Sequence, residues 1–246
     1  MPRKPQRPSR SPLPRAATPG HYFIAGIHPV QMALDNSKRQ KLRLLATPHA
    51  LEKLRVPSSR LMVEKVTGEQ LDALFPTGQT HQGATLEVAP LPAASLTDAL
   101  ATARPLIMLD QVTDPQNIGA ILRSAAAFGA GGVILQDKHS PRESTVLTKI
   151  AAGALEVTPL VYVTNLSRTI EDAQKEGYWV IGLDGAAKTS LAACKPTTKT
   201  LLVMGAEGAG IRRLVAESCD QLAKLPIRPE MESLNVSNAA AIALYE

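Results

Sequence analysis

The chain lacks most of the residues that usually announce a chemistry. Its 246 residues include two cysteines, five histidines, one tryptophan and three phenylalanines. Cys194 and Cys219 have no CxxC partner and no histidine at ligand spacing, which excludes a disulfide scaffold and a zinc ribbon, so no metal site is expected. Both thiols read as reduced, small apolar side chains of a cytoplasmic protein. No apolar run approaches the roughly eighteen residues of a membrane span, and 44% apolar content fits a globular chain. There is no GxGxxG with an acid about 20 residues later, which argues against a nicotinamide enzyme, and no GxxxxGK[ST].

Acidic residues are missing from the first twenty positions, which hold Arg3, Lys4, Arg7, Arg10, Arg15 and six prolines. Outside that stretch 22 basic residues face 22 acidic ones, so the net charge of +5 belongs to the tail. With few apolar residues to offset ordering entropy, residues 1–20 are expected to be disordered. They serve either as a solubilising leader or as an arm with salt-sensitive attraction to phosphates. No apolar segment follows the charges, so a secretory leader is not expected, and proline density argues against a transit peptide.

What is present is an alternation of short apolar runs and amphipathic stretches, which specifies an α/β protein in two parts. In the first, over 21–91, strands are predicted near 21–25, 42–48, 60–66 and 83–91, with helices near 27–34, 50–54 and 68–75. A linker is expected over 92–103. From 104 to 246 the strands are predicted at 105–110, 131–136, 159–163, 178–184, 200–205 and 221–227. Helices are predicted at 118–128, 144–152, 165–176, 210–217 and 235–245. Continuous apolar strands of this kind belong to a parallel sheet covered on both faces, with ligands at the carboxyl ends.

Three motifs begin at such ends. In NIGAILRSAAAFG, Asn117 either caps a helix or faces a ligand. Arg123 stands on a helix whose other positions are apolar or small, so it should meet a carboxylate or open into a cleft that receives phosphate. GAEGAG (205–210) joins a strand to a helix, and its glycines allow close backbone approach. Glu207, its carboxylate, either complements a helix terminus or pairs with a cation such as Arg123. In MESLNVSNAAAIALYE, Ser233, Asn235, Ser237 and Asn238 cluster where a helix begins, and capping accounts for one of them.

Taken in order, DQVTDPQNIGAILRSAAAFGAGGVIL, LLVMGAEGAGIRR and LPI with SLNVSNAAAIALYE resemble the three motifs of the SpoU-type (TrmH-like) RNA 2'-O-ribose methyltransferases of the SPOUT superfamily. GIHPVQMAL and HQGATLEV are similar to the first domain of the branch that methylates guanosine in 23S rRNA. The resemblance covers about 21–246. It departs at RPEME (228–232), charged where many relatives have a small, glycine-bearing loop.

The resemblance implies a parallel-sheet SPOUT methyltransferase domain with a C-terminal trefoil knot, an exception to the rarity of knots, preceded by a small α/β RNA-binding domain. It implies S-adenosyl-L-methionine held against Gly205, Leu225, Ile227 and Leu234. It also implies a homodimer in which Arg123 acts near the partner's cofactor. Arg123 would hold a phosphate and stabilise the developing alkoxide, Glu207 would orient Arg123, and Asn117, Asn235 and Ser237 would shape the site. A guanidinium is too weak an acid for neutral Arg123 to be the favoured base. The alternatives are a tRNA ribose methyltransferase of the same family and a methyl-inactive RNA-binding relative.

Overall fold

The predicted alternation gives two sheets. The computed structural model describes residues 14–57, 61–75 and 80–246. The first sheet contains β1 (Tyr22–Ala25), β2 (Lys41–Ala46), β3 (Met62–Lys65) and β4 (Ala84–Val88), in the order β1-β4-β2-β3. β4 runs antiparallel to β1 and β2, while β2 and β3 are parallel. Helix α1 (Ile27–Asp35) buries Val30, Ala33 and Leu34. Thr47 caps α2 (Pro48–Lys53), and Thr67 with Gln70 forms a capping box on α3 (Gly68–Asp72).

β4 is buried along its whole length, Glu87 included. Burial pushes the Glu87 carboxyl up, but the Thr18 amide at 2.6 Å and Arg43 Nε at 2.5 Å outweigh it and hold the pKa below the usual carboxylate value. Arg43 also donates to the Arg15 and Ala16 carbonyls at 2.5 and 3.1 Å. Residues 14–20, expected to belong to a disordered tail, are therefore held on this sheet by their backbone groups, which a composition argument does not see. Residues 1–13 lie outside the described residues.

The second sheet holds β5 (Leu106–Asp110), β6 (Gly132–Gln136), β7 (Leu160–Val163), β8 (Trp179–Leu183), β9 (Thr200–Gly205) and β10 (Gln221–Ala223). All pairs are parallel and the order is β10-β8-β9-β5-β6-β7. Alternation along β5 feeds two apolar layers. Ile107 and Leu109 face α5 (Pro115–Ala127), α6 (Thr145–Ala151) and α9 (Val236–Tyr245). Leu106 and Met108 face α4 (Leu96–Ala101), α7 (Leu166–Lys175) and α8 (Arg213–Ser218). From β5 the chain moves to β6 and β7 on one side, whereas β9 lies on the other. The carboxyl ends of β5 and β9 therefore flank a switch-point crevice.

Three expectations change. The stretch 92–103 carries α4, capped by Ser95, with Ala99 and Leu100 buried in the second layer and Ala94 bridged to Val161. The alanines that suggested a linker are strong helix formers once a cap starts them. The strand predicted over 221–227 ends at Ala223, because β8 ends at Leu183 and the Lys224 backbone pairs instead with Thr189 and Leu191. The helix predicted from 210 begins at Arg213, because Gly208 and Gly210 take φ of +78° and +67° in a turn closed by the Ala206–Gly210 bridge.

The two sheets are fastened by one buried cation. The Arg39 side chain is 0% exposed and contacts Glu156 at 2.5 Å and Glu143 at 2.6 Å, one carboxylate on either side of α6. It also donates to the Tyr22 hydroxyl and the Ala89 carbonyl, both at 2.9 Å. Tyr22 donates to Glu143, and Asn36 Nδ2 reaches Glu156 Oε2 at 2.8 Å. Burial opposes the charge on Arg39, but the Glu156 hydrogen bond and the neighbouring negative groups raise its pKa further. Burial first, and then Glu143, push the Tyr22 hydroxyl up as well. Removing the cation would leave two carboxylates facing each other out of water. Arg39→Ala is expected to cost about 3–5 kcal/mol in urea unfolding. A loss below about 1 kcal/mol, typical of a surface pair, would contradict this account.

Candidate active site

Each motif is set by the element it starts. Asp114 caps α5, accepting from the Gln116 amide at 2.9 Å, with Pro115 in the first turn. Asn117 is therefore not the cap, and that alternative falls. Its Oδ1 instead accepts from Asn235 Nδ2 at 3.0 Å. The same nitrogen donates to Glu207 Oε1 at 2.7 Å, and that oxygen also accepts from the Val236 amide at 3.3 Å. Asn235 Oδ1 caps α9, accepting from Ser237 N at 2.9 Å and Ser237 Oγ at 2.5 Å. One amide thus spends its oxygen on a helix and its nitrogen on two other segments. Asn117, Glu207, Asn235 and Ser237 thus meet in one hydrogen-bonded network.

Arg123 does not join them. It is exposed, and among the described residues it has no ion pair or side-chain hydrogen bond, so the expected contact with Glu207 is absent. The helix explains why. Six residues beyond Asn117, Arg123 lies about 9 Å further along α5 and about 120° around it. Glu207 meanwhile has its partners in Asn235 and Val236.

Beside this junction lies a cleft of about 600 Å³, formed by residues 183–186, 204–211 and 224–239. Gly205, Leu225, Ile227 and Leu234 all line it, and so do the carboxylates Asp184, Glu207 and Glu232. Its volume lies within the usual range for a small-molecule site. The charged RPEME segment forms part of the rim, where Arg228 O accepts from the Met231 amide at 3.0 Å and Glu232 lines the cleft. Gly205 is required by close packing: a Cβ there would lie 2.0 Å from the Gly210 carbonyl carbon and 2.3 Å from Ile211 N.

The sequence reading passed over one pair. Asp110, the last residue of β5, is wholly buried, and its Oδ1 contacts Arg212 NH2 at 2.7 Å and Nε at 2.8 Å. The available signal was an acid closing the otherwise apolar run PLIMLD. Among the described residues no group of three His, Cys, Asp or Glu side chains is placed to hold a metal ion. The Cys219 thiol is pushed up to about 12 by burial and by Asp220, which keeps it neutral and inert near neutral pH.

Gly205→Ala is expected to force the 206–210 turn off β9 and to lower unfolding stability by about 1–3 kcal/mol, as overpacking does. Thermal unfolding identical to that of the unaltered chain would show that the turn yields freely.

Comparison with known proteins places this geometry. The profile of the SpoU rRNA Methylase family matches residues 104–245. The chain is 41% identical over 241 residues to the 23S rRNA (guanosine-2'-O-)-methyltransferase RlmB of Vibrio vulnificus, covering 91% of this chain and 95% of that one. It is 39% identical over 240 residues to the enzyme of the same name from Escherichia coli K12, covering 91% and 96%. Among solved structures, the SpoU methyltransferase AviRb from Streptomyces viridochromogenes in complex with AdoMet superposes with a TM-score of 0.76 at 25% identity. That match covers 92% of this chain and 89% of the other. With the profile spanning more than half of the chain and the relatives nearly all of it, the protein belongs to the SpoU rRNA methylase family.

Proposed function

We infer that this protein transfers a methyl group from S-adenosyl-L-methionine to the ribose 2'-hydroxyl of a guanosine in 23S rRNA. The observation that carries the reading is the Asn235 amide joining Asn117 to Glu207 at the mouth of the glycine-turn cleft. Relatives matched over 91% of the chain bear that activity in their names.

The cleft fits the cofactor by its chemistry. The close-packed backbone at Gly205 and the apolar side chains of Leu183, Met204, Leu225, Leu234 and Val236 suit a flat ring system, and Asp184, Glu207 and Glu232 suit a cation. S-adenosyl-L-methionine supplies an electrophilic methyl group on a positively charged sulfonium. The chain's own task is to hold the ribose hydroxyl about 3 Å from that methyl and to ease loss of its proton. Asn117 and Ser237, fixed through Asn235, shape the place for the ribose. Arg123 binds the adjoining phosphate and stabilises developing negative charge on the hydroxyl oxygen. A planar fork suits that role better than a point charge.

The position of Arg123 also supports a homodimer. It projects from the α5/α9 helix pair, which exposes Phe128, Ile242 and Tyr245, with the Phe128 and Tyr245 rings 6.0 Å apart. A second copy covering this apolar patch would bring Arg123 to the partner's site. The reading further includes a trefoil knot, supported by residues 224–234 running against both the 183–186 and 205–211 loops with Lys224 bridged to Ser190. It assigns RNA reading to a first domain over 21–91, supported by a sheet with its own apolar core. The cytoplasm is the corresponding location. No helix among the described residues is long and apolar enough to cross a membrane.

Methyl transfer from labelled S-adenosyl-L-methionine to protein-free 23S rRNA tests the function. Arg123→Ala is expected to reduce transfer by at least about a hundredfold while calorimetry shows unchanged cofactor affinity, and Arg123→Lys to fail nearly as badly. Mixing Arg123→Ala chains with Gly205→Trp chains should restore part of the activity if Arg123 serves the partner. Full activity of Arg123→Lys would remove its assigned role, and tighter binding of NAD than of S-adenosyl-L-methionine would remove the function itself.

A further inference from the structure

The carboxyl ends of β5 and β6 hold one guanidinium between them, outside the cofactor cleft. Asp110 is 0% exposed, and a buried carboxylate in an apolar strand is costly unless it is fully paired. Here both carboxylate oxygens are paired to one residue. Oδ1 accepts from Arg212 Nε at 2.8 Å and lies 2.7 Å from NH2 as an ion pair, and Oδ2 accepts from the Arg212 backbone amide at 2.8 Å. NH2 donates to Gln136 Oε1, at the end of β6, at 3.0 Å.

Two guanidinium nitrogens, Nε and NH2, are therefore hydrogen-bonded to fixed partners, and NH2 also lies in ion-pair contact with Asp110. NH1 has no partner among the described residues, and the side chain is 42% exposed. The ion pair keeps its negative end buried in the sheet and its positive end partly exposed. This goes beyond a simple staple. A guanidinium that merely neutralised Asp110 could lie flat and covered, whereas this one is held by fixed partners and stays partly exposed. Such a cation has already lost most of the rotamer freedom that binding would remove, so an anion meets it at low entropic cost.

We propose that Arg212, positioned by Asp110 and Gln136, is a phosphate-binding residue for the RNA strand on the β5 side of the crevice. The inference rests on the methyltransferase reading for its ligand, an RNA backbone phosphate. The cofactor cleft lies on the β8 and β9 side and does not include Arg212. Arg212's partners Asp110 and Gln136 close β5 and β6, which in the sheet order lie beyond β9 from β8. A strand entering at the junction would thus be gripped on the side away from the cofactor. Phosphate contacts position a strand without reading its sequence, so Arg212 would set register and leave the choice of base to other groups.

The test avoids a lone buried carboxylate by pairing Asp110→Asn with Arg212→Gln, with Arg212→Lys as a second variant in case the first does not fold. The folded double variant is expected to bind S-adenosyl-L-methionine as the unaltered chain does and to raise KM for protein-free 23S rRNA about tenfold while changing kcat far less. The slope of log affinity against log salt on a single-stranded RNA should become shallower by about 0.7, one phosphate contact. Arg212→Lys should keep that slope, because a point charge still displaces one counterion, but should raise KM through loss of the fork. Unchanged KM and slope in the double variant would overturn the proposal. If the double variant does not fold, unchanged KM in Arg212→Lys would overturn it. An unaltered chain that methylates no RNA, yet loses salt slope on substitution, would sink the function and leave the phosphate site standing.

Discussion

The candidate site depends on the side-chain amide of Asn235. A planar amide has one acceptor oxygen and a nitrogen with two protons, and this one is fully committed. Its oxygen starts α9 through Ser237, and its nitrogen holds Asn117 and Glu207, residues 118 and 28 positions away in the chain. Neither neighbour can move without leaving a donor or acceptor without its partner beside a cleft. Asn117 brings the start of α5 and Glu207 brings the turn after β9, so the ends of the two strands flanking the switch point are drawn to one place. The glycine turn follows from the same need. Gly205 lets the chain fold back within contact of Gly210, which delivers Glu207 to the amide.

Arg39 provides a second constraint of a different kind. It joins the sheets by burying a charge between two carboxylates, an arrangement costly to assemble and more costly to break. Asn235 works with a single neutral amide near solvent, where each hydrogen bond contributes about 1 kcal/mol. The energetics of orientation therefore sit in the interface, while the geometry of the candidate site sits in a modest network.

Much of this was legible in sequence because it is local. The apolar runs of the parallel strands, the cap residues and the glycine turn each declare themselves within a few positions, and the three motifs singled out Asn117, Glu207, Asn235 and Ser237, whereas Leu225, Ile227 and Leu234 were pointed to by the family resemblance alone. What was not legible is long-range charge pairing. Arg39 sits in a polar turn that reads as exposed, and its partner Glu156 is 117 positions away. Arg212 finds Asp110 across 102 positions. Helical phase also misled: Arg123 and Asn117 share a motif but not a helix face, so Glu207 took the nearer amide. The alanines of 92–103 with Pro90 and Pro92 suggested a tether, and burial of Ala99 and Leu100 made a packed helix of the segment.

Asn235→Asp tests the central claim most directly, because it keeps the capping oxygen and replaces the bridging donor with a second acceptor aimed at Glu207. Two facing carboxylates disfavour ionisation, so in the folded variant the pair's carboxyl pKa should rise above its unfolded value. Its destabilisation is then present at neutral and higher pH and is relieved as pH falls through the raised folded value and a shared proton restores a donor. Urea unfolding is expected to show a deficit against the unaltered chain that shrinks between about pH 8 and about pH 5. A deficit equal at both values, or no deficit at all, would mean that the amide does not hold the site together.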